Sequence, residues 1–395
     1  MRPRAYAVIL VAVLLVGCAV YLLGQFILYR AGETASIATL LERQRQSDGL
    51  YFGLATPAGS YKLAAYAERK PEIVIFGSSR AHRQHQEFYK RPSYSMSGLV
   101  LSPEMAVRVF DLALTIHKPK VVIFNLDFYS FCTMTPPIGD APPTRHIGRP
   151  QGGAWQPVNQ FALIPKLVAN GALSVHEVAD FALGRFDDTP RGIRLFGLVA
   201  IRRQLGFGLD GAISEVETRM QDQAVFEAAK QEVLTGTRHY PAGCQYDPAV
   251  MTDLETLQQE ADRAGVSLII LLPPVAPSIY RLFATAPANI SGYYATSRRE
   301  LAKRHFPDLH DLVDGAMIGA ADSEFADAVH GGDVSEARML LKAAEAQGTV
   351  LADIINRPFL TGLVAAHAGK LAVELAYLRA ARVAPRHAVE AAEVK

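Results

Sequence analysis

The sequence predicts an α/β fold built on an open, mostly parallel sheet. Short apolar runs typical of buried strands occur at residues 73–76, 121–126 and 266–272, and helix-like segments lie between them at 103–116 and 248–263. Strands that alternate with helices are normally parallel, because the crossover between two parallel strands needs a connection of helix length. The chain has 395 residues, half of them hydrophobic, which is ample for a core.

The first element is an apolar helix. Residues 5–28 contain no charged side chain and exceed the ~20 residues that cross a bilayer. Arg2 and Arg4 precede this run and favour a cytoplasmic N-terminus. We therefore expect a single-pass anchor over 1–29, in the inner (cytoplasmic) membrane, and a periplasmic or otherwise extracytoplasmic domain over 30–395. Cleavage and lipidation at Cys18 is the alternative, and it leaves the domain on the same side.

The net charge and the cysteine content bear on two questions: whether the protein binds nucleic acid, and whether it contains a disulfide. The net charge is +1 and there are no long basic runs, which argues against nucleic-acid binding. Outside the anchor the cysteines are Cys132 and Cys244. They can pair in an oxidising compartment or remain two separate buried thiols, and the sequence favours the thiols.

The first strand leads into a candidate nucleophile. Residues 72–76 (EIVIF) run into Gly77, Ser78 and Ser79, and Gly77 permits a tight exit from the strand. The segment after Ser79 can begin a helix whose first amides face an oxyanion. A turn of small residues without a catalytic role is the alternative.

A distant Asp-x-x-His pair supplies the matching base. Asp327 stands three positions before His330, so its carboxylate can orient the imidazole while the imidazole takes a serine proton. Asp333 and Glu336 have the spacing of a helix cap, which leaves His330 on the preceding loop. His310, flanked by two aspartates, is the rival base.

These residues resemble the SGNH (GDSL-like) hydrolases, and specifically the membrane-anchored branch associated with alginate O-acetylation and teichoic-acid D-alanylation. Ser79 matches the nucleophile of the Gly-Asp-Ser block, with Ser78 replacing its aspartate. Asp327 and His330 match the terminal block, and Gly98 matches the glycine that donates to an oxyanion. The resemblance implies a three-layer α/β/α, flavodoxin-like fold and a Ser79, His330, Asp327 triad.

The fourth block of the family departs from the pattern. It falls at residues 121–128 (VVIFNLDF), where Asp127 takes the position of an asparagine that donates to the oxyanion. An ionised aspartate cannot donate a hydrogen bond, so Asn125 is favoured as the donor beside the amides of Ser79 and Gly98. Asn125 and Asp127 can also simply end the strand and cap its turn.

Two regions extend beyond a minimal core. An insertion over 129–240 begins with a proline-rich loop that carries Trp155 and continues as a mainly helical segment, and C-terminal helices are expected over 335–383. Trp155 can stack on a sugar or anchor the loop. His82 and His85 have a spacing usable for metal, but no acid is spaced in sequence to complete a site, so neither metal nor cofactor is expected.

The sequence therefore predicts a membrane-anchored serine ester hydrolase or O-acyltransferase acting through an acyl-serine. The resemblance implies acyl esters of a cell-surface polysaccharide as substrates and a polytopic membrane acyltransferase as a partner. The alternative, from another class, is a catalytically silent, membrane-tethered scaffold that binds glycan or assembles other proteins.

Overall fold

The structure is a computed structural model that describes residues 3–54, 56, 58–133, 163–171, 173–183, 185, 193–237, 240, 243–285 and 290–383. Trp155 and most of the proline-rich loop lie outside the described residues.

The described part of the chain contains fifteen α-helices, which we number in chain order: α1 Pro3–Arg30, α2 Ile37–Ser47, α3 Ala58–Arg69, α4 Pro103–Ile116, α5 Leu163–Ala169, α6 Val175–Leu183, α7 Leu198–Arg203, α8 Gln223–Thr235, α9 Ala249–Ala264, α10 Pro277–Leu282, α11 Ile290–Lys303, α12 Asp333–Ala343, α13 Leu351–Ile354, α14 Arg357–His367 and α15 Leu375–Val383. The strands are β1 Leu50–Tyr51, β2 Ile73–Gly77, β3 Ser93–Ser95, β4 Val121–Asn125, β5 Leu195–Phe196, β6 Leu205–Phe207, β7 Ile213–Glu215, β8 Ser267–Leu272 and β9 Leu309–Asp311.

The main sheet has five parallel strands in the order β3-β2-β4-β8-β9. Ile73 pairs with Val121 and Val121 with Ser267, so the three central strands begin at one level and end together. This confirms the predicted mixed α/β fold with a parallel sheet, and the three predicted strands fall within a residue of their observed bounds. In an open parallel sheet the carboxyl ends of the strands form the ligand-binding edge, and β2 delivers Ser79 there.

Both faces of the central strands are buried. Alternate residues such as Ile75, Ile123 and Leu271 pack with apolar side chains of α12 and α14 in one core. Their neighbours Val74 and Val122, on the other face, are also fully buried. Because both faces are covered, the strands are continuously hydrophobic rather than alternating, which is why they were readable as short apolar runs.

The helix between β3 and β4 shows how local sequence fixes an element's bounds. The Ser102 hydroxyl accepts a hydrogen bond from the Met105 N–H, and Pro103 occupies the first helical position. Both features favour a helix start, because the first amides of a helix have no acceptor inside it. The Ser102 hydroxyl accepts from one of them, and Pro103 has no N–H that needs an acceptor. Helix α4 consequently spans the predicted residues.

The chain divides into two compact units: Met1–Tyr61 with His146–Leu209, and Lys62–Arg145 with Asp210–Lys395. In the first unit, the end of α1 packs on α5 and α6 in a core that includes Ile27, Leu28 and Phe181. Strand β1 in this unit pairs with β5 in parallel and with β6 in antiparallel orientation. The second unit contains the five-stranded sheet.

The N-terminal helix has the properties expected of an anchor. Residues Tyr6–Arg30 are long and apolar enough to cross a membrane, with a mean hydropathy of 2.8. The last turn differs from the expectation of a separate anchor over 1–29, since Ile27 and Leu28 are fully buried in the core of the first unit.

The expectation that Cys132 and Cys244 remain separate thiols is wrong. Cys132 and Cys244 form a disulfide, with their Cα atoms 5.6 Å apart, rather than remaining two thiols. The described part of the 129–240 insertion also contains strands β5, β6 and β7 as well as helices. Sequence spacing cannot bring two cysteines 112 positions apart within bonding range, because only the tertiary fold sets that distance.

Candidate active site

The exit of β2 holds Ser79 in an exposed position. Gly77 has a φ of +151°, and a Cβ there would lie 2.9 Å from the Ala81 Cβ and 3.0 Å from the Asn125 Cβ, so only glycine fits. The next residue, Ser78, is buried, and its hydroxyl accepts a hydrogen bond from the Arg80 N–H at the start of a 3₁₀ turn. Ser79 is exposed between buried neighbours, as a nucleophile must be to meet a substrate.

The Asp327 carboxylate shapes the loop that carries His330. Its Oδ1 accepts hydrogen bonds from the backbone N–H groups of Val329 and His330, each at 2.9 Å. Its Oδ2 lies 2.8 Å from the His330 Nδ1. Although burial raises the pKa of Asp327, these hydrogen bonds and the adjacent imidazole hold that pKa below its usual value. Asp327 is therefore ionised at neutral pH and holds the ring in one orientation.

The structure brings all three predicted catalytic residues together. The His330 Nε2 lies 2.7 Å from the Ser79 Oγ, across 251 residues of sequence. With Nδ1–H donating to Asp327, the Nε2 lone pair faces the serine hydroxyl and can accept its proton. This is the geometry of a serine nucleophile with an oriented base.

Arg80, the residue after the candidate nucleophile, is buried. Its side chain is 1 % exposed, and its guanidinium donates to the carbonyls of Val329, Pro273 and Pro274. Its Nη1 also lies 3.2 Å from an Asp127 oxygen. One buried cation therefore ties the nucleophile turn to the His330 loop and to the ends of β4 and β8.

Asn125 and Asp127, at the position of the family's fourth block, are bonded to other buried residues of the protein. Asp127 pairs with Arg80 and accepts a hydrogen bond from the Tyr129 hydroxyl at 2.7 Å. The Asn125 amide nitrogen donates to the Phe76 carbonyl at 3.3 Å, and its oxygen accepts from Gln84. Asp127 thus has a structural role beside Arg80. The Phe76 carbonyl uses one of the two N–H groups of the Asn125 amide, so an oxyanion role for the other N–H remains a prediction.

Gly98 lies beside the nucleophile turn, with a φ of +80°. Its N–H donates to the carbonyls of Gly77 at 2.7 Å and Ser78 at 3.1 Å. An oxyanion role for Gly98 therefore also remains a prediction, and it requires an exchange of these bonds. The Ser79 N–H begins the 3₁₀ turn and is not used within it, so it is the donor of the three that this geometry favours.

A polar chain runs behind Gly98. The Ser97 Oγ accepts hydrogen bonds from the Ser95 hydroxyl at 2.7 Å and the Lys62 ammonium at 3.2 Å. Its own proton is then left for the His82 Nδ1, 2.7 Å away. Burial, with the nearby charges of Lys62, His330 and Arg83, puts the pKa of His82 well below its usual value. His82 is therefore a neutral imidazole protonated on Nε2, and a Cβ on Gly98 would lie 2.8 Å from its ring.

His310 and His85 are each bonded to an aspartate other than Asp327. The His310 Nε2 lies 2.5 Å from an oxygen of Asp308, at strand β9, so His330 is the histidine bonded to Ser79. The fully buried His85 is bonded to Asp333 and lies near Glu87 and Asp210, which together could hold a metal ion.

Sequence reasoning missed the roles of Lys62, His82, Arg80 and Ser97 in this site. The signal for Arg80 was its position directly after the candidate nucleophile. The partners of Lys62 are backbone and side-chain oxygens remote in sequence, and no pattern reveals them.

Comparisons of the chain with models of protein families, with curated proteins and with solved structures find no match.

Proposed function

We propose that this protein is a serine acyl esterase or O-acyltransferase with Ser79 as nucleophile, His330 as general base and Asp327 as orienting acid. One observation carries the proposal: an exposed serine hydroxyl lies 2.7 Å from an imidazole whose other nitrogen is bonded to an ionised carboxylate. The strand order of the main sheet, 2-1-3-4-5 in sequence order, is that of flavodoxin-like sheets and supports an SGNH-type, three-layer arrangement.

The reaction has two steps. His330 Nε2 takes the proton of Ser79 as its Oγ attacks an ester carbonyl, and the Ser79 N–H stabilises the oxyanion. The ester C–O bond breaks, the leaving alcohol receives the proton from His330, and an acyl-Ser79 remains. An acceptor hydroxyl then gives its proton to His330 and attacks the acyl carbon. The bond between that carbon and the Ser79 Oγ breaks, and His330 returns the proton to Oγ. Water as acceptor makes an esterase, and a sugar hydroxyl makes an O-acyltransferase.

The site of action proposed is the outer face of the inner membrane. The apolar helix Tyr6–Arg30, preceded by basic residues, supports an N-terminus in the cytoplasm and a periplasmic or extracytoplasmic catalytic unit. The Cys132–Cys244 disulfide supports an oxidising compartment. The substrates proposed are acyl esters, in particular acetyl esters, of a surface polysaccharide, with a polytopic membrane acyltransferase as donor partner.

The proposal is tested with the full-length protein in detergent and a fluorophosphonate probe. We expect covalent labelling of wild type at Ser79, located by mass spectrometry of the modified peptide. Ser79→Ala and His330→Ala should each lose labelling, whereas His310→Ala should retain it because His310 is bonded to Asp308. Equal labelling of wild type and Ser79→Ala would refute the nucleophile.

A second candidate function is a silent, membrane-tethered glycan-binding or assembly scaffold. The observation that favours it is that the N–H of Gly98, one of the three expected oxyanion donors, is already bonded to the backbone carbonyls of Gly77 and Ser78. A wild-type protein that stays unlabelled by the probe, yet binds acetylated polysaccharide in a co-sedimentation assay, would favour the scaffold.

A further inference from the structure

We propose that His85, Glu87 and Asp210 bind one zinc-class divalent metal ion that fixes the segments flanking the candidate active site. One imidazole nitrogen and one carboxylate oxygen from each of the two acids lie within 4.8 Å of one another. All three residues belong to the same compact unit and are at most 5 % exposed. Two ligand atoms that each lie about 2 Å from one metal ion are at most about 4 Å apart, so the three side chains would have to draw together by roughly 1 Å to complete the set.

The decisive feature is the state of His85. This side chain is fully buried, and its Nδ1 has no hydrogen-bond partner among the described residues. The same nitrogen lies 3.9 Å from an Asp210 oxygen, too far for a hydrogen bond. A buried polar atom normally has a partner, because burial without one loses the hydrogen bonds that water would otherwise supply. A metal ion between Nδ1 and the acids supplies that partner.

The other ring nitrogen has the environment of a metal-binding histidine. The His85 Nε2 lies 2.9 Å from the Asp333 Oδ1, and Asp333 is 1 % exposed. Metal-ligating histidines typically donate their second N–H to a carboxylate, which fixes the tautomer and strengthens the ligand. If Nε2 carries the proton, Nδ1 is left with a lone pair, and a carboxylate oxygen of Asp210 lies 3.9 Å from it.

The ligand types select the class of metal. Imidazole with carboxylates suits zinc and neighbouring first-row dications, whereas calcium and magnesium favour sites made wholly of oxygen. Two carboxylates and a neutral imidazole carry a charge of −2, which a dication balances. Spacing along the chain does not reveal this set, because Asp210 lies 125 positions after His85.

The position of this site suggests a structural role. His85 and Glu87 follow the turn that begins at Ser79, and Asp333 lies three residues after His330. A metal ion at His85 therefore connects the nucleophile segment to Asp210 directly and to the start of α12 through Asp333.

The test is metal analysis of the full-length protein, purified in detergent without a polyhistidine tag. After incubation with zinc and removal of free metal, we expect about one zinc per chain. His85→Ala and Asp210→Asn should each retain less than about 0.1 zinc per chain. His310→Ala is the matched control, because it removes another histidine bonded to an aspartate and should retain the full equivalent. Asp333→Asn should bind zinc 10–100-fold more weakly without losing it.

Two measurements on wild type avoid dependence on variants that fail to fold. Cobalt(II) added to the metal-free protein should give visible absorption bands that saturate at one equivalent, and EDTA should lower the melting temperature by at least about 5 °C. Wild type that binds neither ion at about 10 µM free metal, a concentration well above the Kd of structural zinc sites, overturns the proposal. So does equal binding by His85→Ala.

These readouts need no substrate and no reaction at Ser79. Failure of the metal proposal therefore leaves the acyl-transfer proposal standing, and loss of fluorophosphonate labelling says nothing about zinc content.

Discussion

The Asp327 carboxylate uses both of its oxygens within one short loop. One oxygen accepts two backbone N–H groups and so holds the loop, and the other accepts the Nδ1–H of His330. A single residue therefore sets both the position of the imidazole and its tautomer.

Asp327→Asn separates these two effects. The asparagine oxygen can still accept the loop amides, but its NH₂ group would donate to the His330 Nδ1 and force the proton onto Nε2, where the ring can no longer take the Ser79 proton. We expect fluorophosphonate labelling to slow by roughly 10³-fold or more, with an unchanged melting temperature to within a few degrees. Labelling rates provide the measurement.

The control for this change is Asp308→Asn, which alters another aspartate bonded to a histidine. Its labelling rate should equal that of wild type. Comparable slowing in both variants would show that the effect does not come from the imidazole beside Ser79.

Arg80 is the second residue whose contacts extend beyond its own segment. Replacing a buried partner of an ion pair leaves the other charge without compensation, which costs about 3–5 kcal/mol. We therefore expect Arg80→Met to lower the free energy of unfolding by about that amount, because Asp127 is buried and three carbonyls also lose a donor. Denaturant unfolding provides the measurement.

Arg108→Met is the matched control, since Arg108 pairs with Glu104 on the exposed face of α4 and both side chains are 60 % exposed. Its free energy of unfolding should differ from that of wild type by no more than about 0.5 kcal/mol. An Arg80→Met loss no larger than this would contradict the structural role of Arg80.

At the scale of elements, the start of helix α12 brings buried acids next to the candidate active site. Burial raises the pKa of Glu336 to about 8, against the opposing effects of a hydrogen bond from Gln84 and the charge of Arg80. The first turn of a helix favours acidic side chains through its amides, but this carboxyl group is only 1 % exposed. It is therefore mainly protonated in the folded protein at neutral pH.

This burial predicts a pH dependence of stability. Between pH 4.5, the ordinary pKa, and pH 8, the folded state retains a proton that the unfolded chain releases, so stability falls as pH rises through this window. Glu336→Gln removes the titration and keeps an oxygen for the Gln84 amide. We expect the melting temperature of the variant, relative to wild type, to be higher at pH 8.5 than at pH 5.

Glu345→Gln serves as the comparison, because Glu345 is an exposed acid just beyond the same helix, with 58 % of its side chain accessible. Its melting temperature should follow wild type at both pH values. A Glu336→Gln variant that also follows wild type would contradict the buried, protonated state.

At the scale of the whole molecule, the anchor and the first compact unit share residues. Ile27 and Leu28 are fully buried among side chains that include Ile164 and Leu198, so α1 ends inside a core rather than before it. A domain that starts at residue 30, after the boundary expected from hydropathy, therefore lacks both side chains.

A truncation series tests this overlap. Fully burying an aliphatic side chain is worth about 1.5–3 kcal/mol, so a chain that begins at residue 30 should lose roughly 3–6 kcal/mol relative to one that begins at residue 24. Limited proteolysis should then cut within 163–183 faster in the shorter chain. Equal cleavage rates would contradict the packing of α1 against α5 and α6.

The sequence by itself determined the local elements of this protein. The central strands are apolar on both faces, the Ser102–Pro103 start fixes α4, and a stretch of 24 uncharged residues defines the N-terminal helix, because each of these depends on neighbours in the chain. The Ser79, Asp327 and His330 candidates were also recoverable, since residue type and spacing record what a nucleophile and its base require.

Only the tertiary structure decided which distant groups meet. The Cys132–Cys244 bond, the four contacts of Arg80, the engagement of Asn125 and Gly98, and the approach of Asp210 to His85 all join residues tens to hundreds of positions apart. Buried polar groups take whichever partner the fold brings within about 3 Å, and that distance depends on how the sheet and its helices pack.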